Sequence, residues 1–306
     1  MKKDITKLLD LTKDDILEIL SHADQMKYNQ KHGKEHKVLA GKTLAMIFQK
    51  ASTRTRVSFE TGMYQLGGQA LFLSAGDMQI GRGEPIEDTA RVLSRYVDGI
   101  MIRTFKQSDV EDFAKWASIP VINGLTDFSH PCQVLADLMT IREYMSTLEG
   151  VRLAYIGDGN NMCNSLIVGG LTSGMAVSAA VPEGYDPHPD ILKFAENHKD
   201  MFKLTRSPQE AAEKADVLVT DVWASMGQES EAEARKKAFA GFQINHELLS
   251  LADPKAIVLH CLPAHRGEEI TAEALEAHAG PIFDEAENRL HAQKAILSLL
   301  MGSGAS

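Results

Sequence analysis

From residue 42 to the end of the chain, short runs of aliphatic and β-branched residues alternate with stretches of helical periodicity. The runs at 43–48, 70–73, 99–103 and 119–122 read as strands in the first half, and those at 151–156, 176–181, 216–220, 256–260 and 281–283 in the second. Helical patterns fall between them, near 53–66, 86–96, 108–117, 131–146, 161–173, 189–198, 208–214 and 271–277. Strands joined through helical crossovers run parallel, and a parallel sheet needs cover on both faces. The length of 306 residues suggests two domains and leaves ample room for buried cores. The expected fold class is therefore α/β: two doubly wound domains, each a parallel sheet flanked by helices. The expected boundaries are 1–148 and 149–285, joined near Leu148-Glu149-Gly150. A C-terminal helical stretch, 286–306, is expected to pack back on the first domain. Ligands of such sheets bind beyond the carboxyl ends of the strands. That places the expected active site in the cleft between the domains.

Bulk properties exclude several classes. The formal charge is −10, with no basic stripe, which argues against nucleic acid and anionic membrane surfaces as partners. No apolar run approaches the roughly 20 residues a membrane span needs. Met1-Lys2-Lys3-Asp4 lacks the apolar core of a signal peptide. Three cysteines, Cys132, Cys163 and Cys261, are too few and too dispersed for a disulfide framework or a zinc knuckle. The expectation is a reduced, cytoplasmic protein with no metal centre.

Most of the unusual residues follow the ends of strands. After the first comes Ser52-Thr53-Arg54-Thr55-Arg56, at the start of the helical pattern 53–66. Free backbone N–H groups and the positive dipole end make a helix N-terminus an anion site. Arg54 adds a fork that can grip two phosphate oxygens. The competing reading is an N-cap serine followed by solvated charges. After 99–103 comes Arg103, whose burial is costly unless an anion or a carboxylate pairs with it. After 119–122 comes His130-Pro131-Cys132-Gln133, either a plain helix start or a donor–acceptor pair for a carbonyl and an amide. Residues 74–85 form a polar, glycine-rich stretch from which Gln79 and Arg82 project.

In the second half, 151–156 leads into Gly157-Asp158-Gly159-Asn160-Asn161-Met162. Together with Glu183 this invites a nicotinamide-dinucleotide reading, but Met162 stands where the fingerprint needs a third glycine. The two asparagines suit an amino-acid head group better. Asp221, after 216–220, can take an ammonium, and the polar stretch 228–241 that follows Gly227 reads as a lid. After 256–260 comes His260-Cys261-Leu262-Pro263. Adjacent residues on a strand face opposite ways, so His260 does not serve Cys261 as a base.

Phe48-Gln49-Lys50-Ala51-Ser52-Thr53-Arg54-Thr55-Arg56, with His130-Pro131-Cys132-Gln133, resembles the aspartate/ornithine carbamoyltransferases. Asp221-Val222-Trp223-Ala224-Ser225-Met226-Gly227 and His260-Cys261-Leu262-Pro263 are more similar to the ornithine branch than to the aspartate branch. The aspartate branch would carry a lysine in the polar stretch, and this chain has none between Phe72 and Arg103. The resemblance covers essentially the whole chain. It implies transfer of the carbamoyl group of carbamoyl phosphate to L-ornithine, giving citrulline and phosphate, without metal or organic cofactor. Carbamoyl phosphate would be held by Ser52, Thr53, Arg54, Thr55, Gln79, Arg103, His130, Pro131, Cys132, Gln133, Cys261, Leu262 and Arg289. Of these, Ser52 to Thr55 and Arg103 would hold the phosphate, Thr55, Arg103 and His130 would donate to the carbonyl oxygen, and Gln133 and the Cys261-Leu262 backbone would accept from the carbamoyl NH₂, with Arg289 nearby. Ornithine would be held by Asn161, Asp221, Ser225 and Met226. Arg54, Arg103, His130 and Cys261 would be the catalytic residues. The resemblance further implies a homotrimer or a multiple of trimers, with the Gln79 loop reaching a neighbour's site. A putrescine or modified-ornithine acceptor is the alternative within the family, and a nicotinamide-dependent dehydrogenase the alternative outside it.

Overall fold

The computed structural model describes residues 3–224 and 231–302. Ser225 and Met226, two of the expected ornithine ligands, lie outside the described residues, as does Gly227. The chain forms two compact units, one of Met1–Ala136 with Asn288–Ser306, the other of Asp137–Glu287.

The first unit begins with α1 (Lys13–Lys31), which the sequence pattern did not single out. Thr12 and Asp15 close a reciprocal capping box at its start, and Ile16, Ile19, Leu20, Ala23 and Met26 form its buried stripe. There follow β1 (Thr43–Phe48), α2 (Thr53–Gln65), β2 (Gln69–Ser74), α3 (Ile86–Leu93), β3 (Gly99–Arg103), α4 (Gln107–Trp116), β4 (Val121–Leu125) and α5 (Pro131–Met145). All four strands are parallel, in the order β2-β1-β3-β4. β1 and β3 are buried almost end to end, as continuous apolar runs in a sheet covered on both faces must be. β2 lies at the sheet edge and leaves Leu71 and Phe72 exposed.

The second unit holds β5 (Arg152–Ile156), α6 (Asn161–Thr172), β6 (Ala176–Ala180), α7 (Pro189–Ala195), β7 (Phe202–Thr205), α8 (Pro208–Ala212), β8 (Val217–Thr220), α9 (Ala232–Ala238), α10 (His246–Leu249), β9 (Ile257–His260) and α11 (Ala272–Ala277). Its five strands are also parallel, in the order β7-β6-β5-β8-β9. Its core gathers Trp223, Phe239, Phe242 and Ile244 against the sheet residues Ile156, Leu218 and Val258.

The last helix, α12 (Ala279–Met301), corrects the expected strand at 281–283. Pro281 occupies the first helical turn, where its missing N–H costs nothing, and the Ile282 N–H donates to the His278 carbonyl. The apolar pair Ile282-Phe283 is thus one turn of an amphipathic helix. From Asn288 onward α12 belongs to the first unit. There its Met301 sulfur lies 2.8 Å from where a Cβ on Gly99 would stand, so the methionine packs into the space that the glycine leaves open.

Strand order reverses between β1 and β3 in the first sheet, and between β5 and β8 in the second. The crevices beyond such switch points are where doubly wound sheets bind ligands. Phe48 and Arg103 end the first pair, and Ile156 and Thr220 the second. Among the described residues no helix is long and apolar enough to cross a membrane.

Candidate active site

At the switch point of the first sheet, Ser52 is the N-cap of α2, and its hydroxyl accepts from the Thr55 N–H at 3.2 Å. The N–H groups of Thr53 and Arg54 have no acceptor among the described residues, and the side chain of Arg54 is exposed without an ion pair. A helix start with two open donors and an unpaired guanidinium attracts an anion. Arg56, in the same run, points elsewhere: it pairs with Glu60 at 2.9 Å and stacks on the Phe72 ring.

Thr55 is buried and sits at the meeting point of two guanidiniums. Its hydroxyl accepts from Arg103 Nη1 at 3.5 Å and from Arg289 Nη2 at 3.2 Å. Arg289 also donates to Gln133 Oε1 at 2.7 Å and to Gln293 Oε1 at 3.1 Å, and Gln293 Nε2 in turn donates to Ser58 Oγ of α2. Arg103 and Arg289 are 8% and 4% exposed, so their charges lie almost wholly out of water.

His130 stands beside them, just ahead of α5. Burial, first, and then the positive charges of Arg289, Arg103 and Arg54 hold its imidazole well below the usual histidine range. It is therefore neutral at pH 7, with one ring N–H to donate. Pro131 takes the first position of α5. The fully buried thiol of Cys132 turns from the arginines to the Asn123 carbonyl at 3.4 Å, and burial pushes its pKa up to about 12. Gln79 lies exposed on a 3-10 turn, Gln79–Arg82, and shares no hydrogen bond with the Thr55 cluster.

At the switch point of the second sheet, amides and carboxylates bond one another. Asn160 caps α6, its Oδ1 accepting from the N–H groups of Met162 and Cys163. Its Nδ2 donates to Asp221 Oδ2 at 2.9 Å. Asp221 Oδ1 accepts from the Val222 N–H at 2.8 Å and from the Cys261 thiol at 3.1 Å. Burial and the carboxylates of Asp221, Glu285 and Asp137 push the Cys261 thiol well above its ordinary value. Cys261 is thus a neutral S–H donor to Asp221, not a thiolate. Asn161, the first residue of α6, is half-buried beside this chain of bonds.

His260 faces the other way from Cys261, as the strand alternation requires. Its Nδ1 accepts from the Leu262 N–H at 2.9 Å, so its Nε2 carries the proton and donates to Glu269 at 3.0 Å. The His260 N–H donates to Glu285 Oε2 at 2.8 Å. Together these bonds hold Leu262 at φ 57°, a left-handed conformation rare for a leucine. Sequence reasoning missed Glu269 and Glu285, because nothing local separates a buried carboxylate from the exposed ones around it. His265, Glu268 and Glu269 bring ligand-type atoms within 4.8 Å of one another, but Glu268 is already paired with Lys236 and Glu269 with His260.

The glycine-rich turn after β5 does not fit a dinucleotide. The α6 N-terminus, where a pyrophosphate would sit, is already capped by Asn160. A Cβ on Gly159 would stand 2.3 Å from the Tyr185 carbonyl oxygen, so this glycine serves close backbone packing rather than a ligand.

Two family models match the chain. The carbamoyl-P binding domain of aspartate/ornithine carbamoyltransferase matches residues 3–143, and the Asp/Orn binding domain matches residues 149–300. The ornithine carbamoyltransferase of Thermococcus kodakarensis is 56% identical over 304 residues, covering 98% of this chain and 96% of that protein. The solved ornithine carbamoyltransferase of Pyrococcus furiosus superposes with a TM-score of 0.94 at 55% identity, over 98% of this chain and 97% of the other. The anabolic enzyme of Campylobacter jejuni superposes with a TM-score of 0.92 at 44% identity, over 98% of this chain and 99% of the other. With both models and full-length relatives in agreement, the chain belongs to the aspartate/ornithine carbamoyltransferase family and, within it, groups with the ornithine carbamoyltransferases.

Proposed function

We propose that the protein transfers the carbamoyl group of carbamoyl phosphate to the side-chain amine of L-ornithine, giving L-citrulline and phosphate. The observation that carries this reading is the open start of α2, with Arg54 unpaired beside buried Arg103, Arg289 and a neutral His130. The phosphate sits on the Thr53 and Arg54 N–H groups, with Ser52, Thr55 and the Arg54 fork around it. Thr55, Arg103 and His130 donate to the carbamoyl oxygen as the amine attacks and charge builds there. Each such donor is worth roughly 3 kcal/mol in a site of this kind. Gln133, Arg289 and the Cys261-Leu262 backbone fix the orientation of the carbamoyl group. Asn161 and Asp221 take the α-amino-acid end of ornithine, together with Ser225 and Met226. The attacking amine has a free pKa of about 10.4 and must be neutral, so the site acts by lowering it. The departing phosphate takes its proton.

We assign 1–148 to carbamoyl phosphate, 149–285 to ornithine and 286–306 to the helix that completes the first domain. We further infer a homotrimer, or a multiple of it, in which the Gln79 loop serves a neighbour's site. Exposed Val57, Tyr64, Leu71 and Phe72 on one unit support a second copy as their cover. The relatives named as anabolic support the biosynthetic direction. The deciding experiment incubates the protein with carbamoyl phosphate and, separately, ornithine, putrescine and aspartate, and measures ureido product. Product with ornithine alone is expected, whereas a preference for putrescine or aspartate would overturn the reading.

A further inference from the structure

Arg235 reaches into the switch point of the second sheet without figuring in the sequence motifs. It rises from α9, and its side chain is 8% exposed. Its Nη1 donates to Asp158 Oδ2 at 2.7 Å and to the Trp223 carbonyl at 3.0 Å. Its Nε donates to Glu231 at 3.1 Å, and its guanidinium lies 5.0 Å from the centre of the Tyr185 ring. One guanidinium nitrogen therefore ties the turn after β5 to the turn after β8. Those turns carry Asn160 and Asp221, which bond each other at 2.9 Å.

We propose that Arg235, through its buried pair with Asp158, is the positioning residue that sets the Asn160–Asp221 geometry and hence the affinity for the α-amino-acid end of the acceptor. This rests on the assignment of ornithine to Asn161 and Asp221. The pair is an expensive device for mere stability, since a buried ion pair adds little over apolar packing, whereas losing one partner leaves a buried charge. Its placement, spanning the two turns that frame a ligand crevice, is what a positioning role needs. Asp158 also answers to pH. Burial raises its pKa to about 6 despite Arg235, with Asp221 and Glu231 adding repulsion. Among the described residues, the other titratable groups around it are Tyr155 on β5 and Cys163 on α6, both neutral at that pH. Protonating Asp158 takes away half of the pair while the guanidinium stays.

The test uses the full-length protein at saturating carbamoyl phosphate, with ornithine turnover and inhibition by L-norvaline, which has the same head group and no side-chain amine. Arg235→Gln and Asp158→Asn are each expected to raise the ornithine KM and the norvaline Ki at least about tenfold, the loss of roughly one charged hydrogen bond. The carbamoyl phosphate KM should stay within about twofold, since neither Arg235 nor Asp158 bonds any residue assigned to that substrate. Arg235→Lys should recover only part of the affinity, because a single ammonium does not reproduce the fork. In the wild type the norvaline Ki should climb as pH falls through about 6, and Asp158→Asn should abolish that climb. Equal losses for both substrates, full rescue by lysine or an unchanged norvaline Ki would overturn the proposal. Failure of the wild type to make citrulline would instead overturn the functional assignment on which it rests.

Discussion

Replacing Arg54 with alanine separates binding from folding, because the residue is exposed at the start of α2. The side chain is exposed, makes no ion pair among the described residues and contributes nothing to a core. Surface changes of this kind move stability by no more than about 0.5 kcal/mol. Its expected partner is the phosphate dianion, gripped by a two-pronged charged contact. Charged hydrogen bonds are worth about 1.5–3 kcal/mol each, so two amount to about 3–6 kcal/mol. At 1.4 kcal/mol per decade that is a loss of roughly 10²- to 10⁴-fold in kcat/KM for carbamoyl phosphate. Steady-state kinetics at saturating ornithine measures the loss, and a thermal melt should move by less than about 2 °C. Arg289 provides the opposite control. It carries the same charge but donates to Thr55, Gln133 and Gln293 from a buried position. Arg289→Met strips all three acceptors at about 1–3 kcal/mol each and should lower the melting temperature markedly. If Arg54→Ala keeps kcat/KM within tenfold of the wild type, or melts as low as Arg289→Met, the phosphate role of the α2 start is refuted.

Other expectations follow from single contacts. His130 has a folded-state pKa below the unfolded value, so the unfolded chain takes up a proton first as pH falls, and stability is lost on the acid side. Denaturant melts between pH 8 and 5 should fall less steeply for His130→Asn than for the wild type, and the imidazole NMR shifts should stay flat from pH 8 to 6. Lys294 is buried, donates to Gln30, His36 and Gln65, and has its pKa lowered to about 8 by burial. Between pH 8 and 10 the unfolded chain holds the extra proton, so stability should rise there by about 1–3 kcal/mol, and Lys294→Met should flatten the rise. Gly159→Ala should cost several kcal/mol, because its Cβ would strike the Tyr185–Pro187 backbone. The measurement is the melting temperature together with the ornithine KM, and an unchanged value of both would contradict the packing described.

Strand–helix alternation was legible because buried parallel strands must be nearly continuous apolar runs, and β1, β3 and β9 are such runs. It misled at 281–283, where three apolar residues fit one turn of a helix as well as a strand. Short β7 and α10 left too little pattern to read. In the site, residues that are close in sequence declared themselves: Ser52 to Thr55 share one helix start, and His130 and Gln133 share another. Partners distant in sequence did not. Arg289 meets Thr55 across 234 positions, and only the resemblance pointed to it. Arg235 meets Asp158 across 77 positions from within a charge-rich stretch, where one buried guanidinium looks like its solvated neighbours. Burial and long-range pairing are properties of the folded chain, and local composition does not encode them.

The way α12 closes the first unit bears on how the protein is made. Asp137–Glu287 is one continuous segment and can fold as soon as it has left the ribosome. The other unit is split: its first 136 residues emerge early but wait for the piece that begins at Asn288. That late piece brings Met301 to the start of β3, Lys294 to α1 and α2, and Arg289 to Thr55. A nascent chain stalled before residue 288 would thus hold an apolar sheet without its final cover and an anion site without one of its arginines. The α2 start and Arg54 are in place early, but Thr55 gains the second of its two guanidiniums only when the segment from Asn288 has docked.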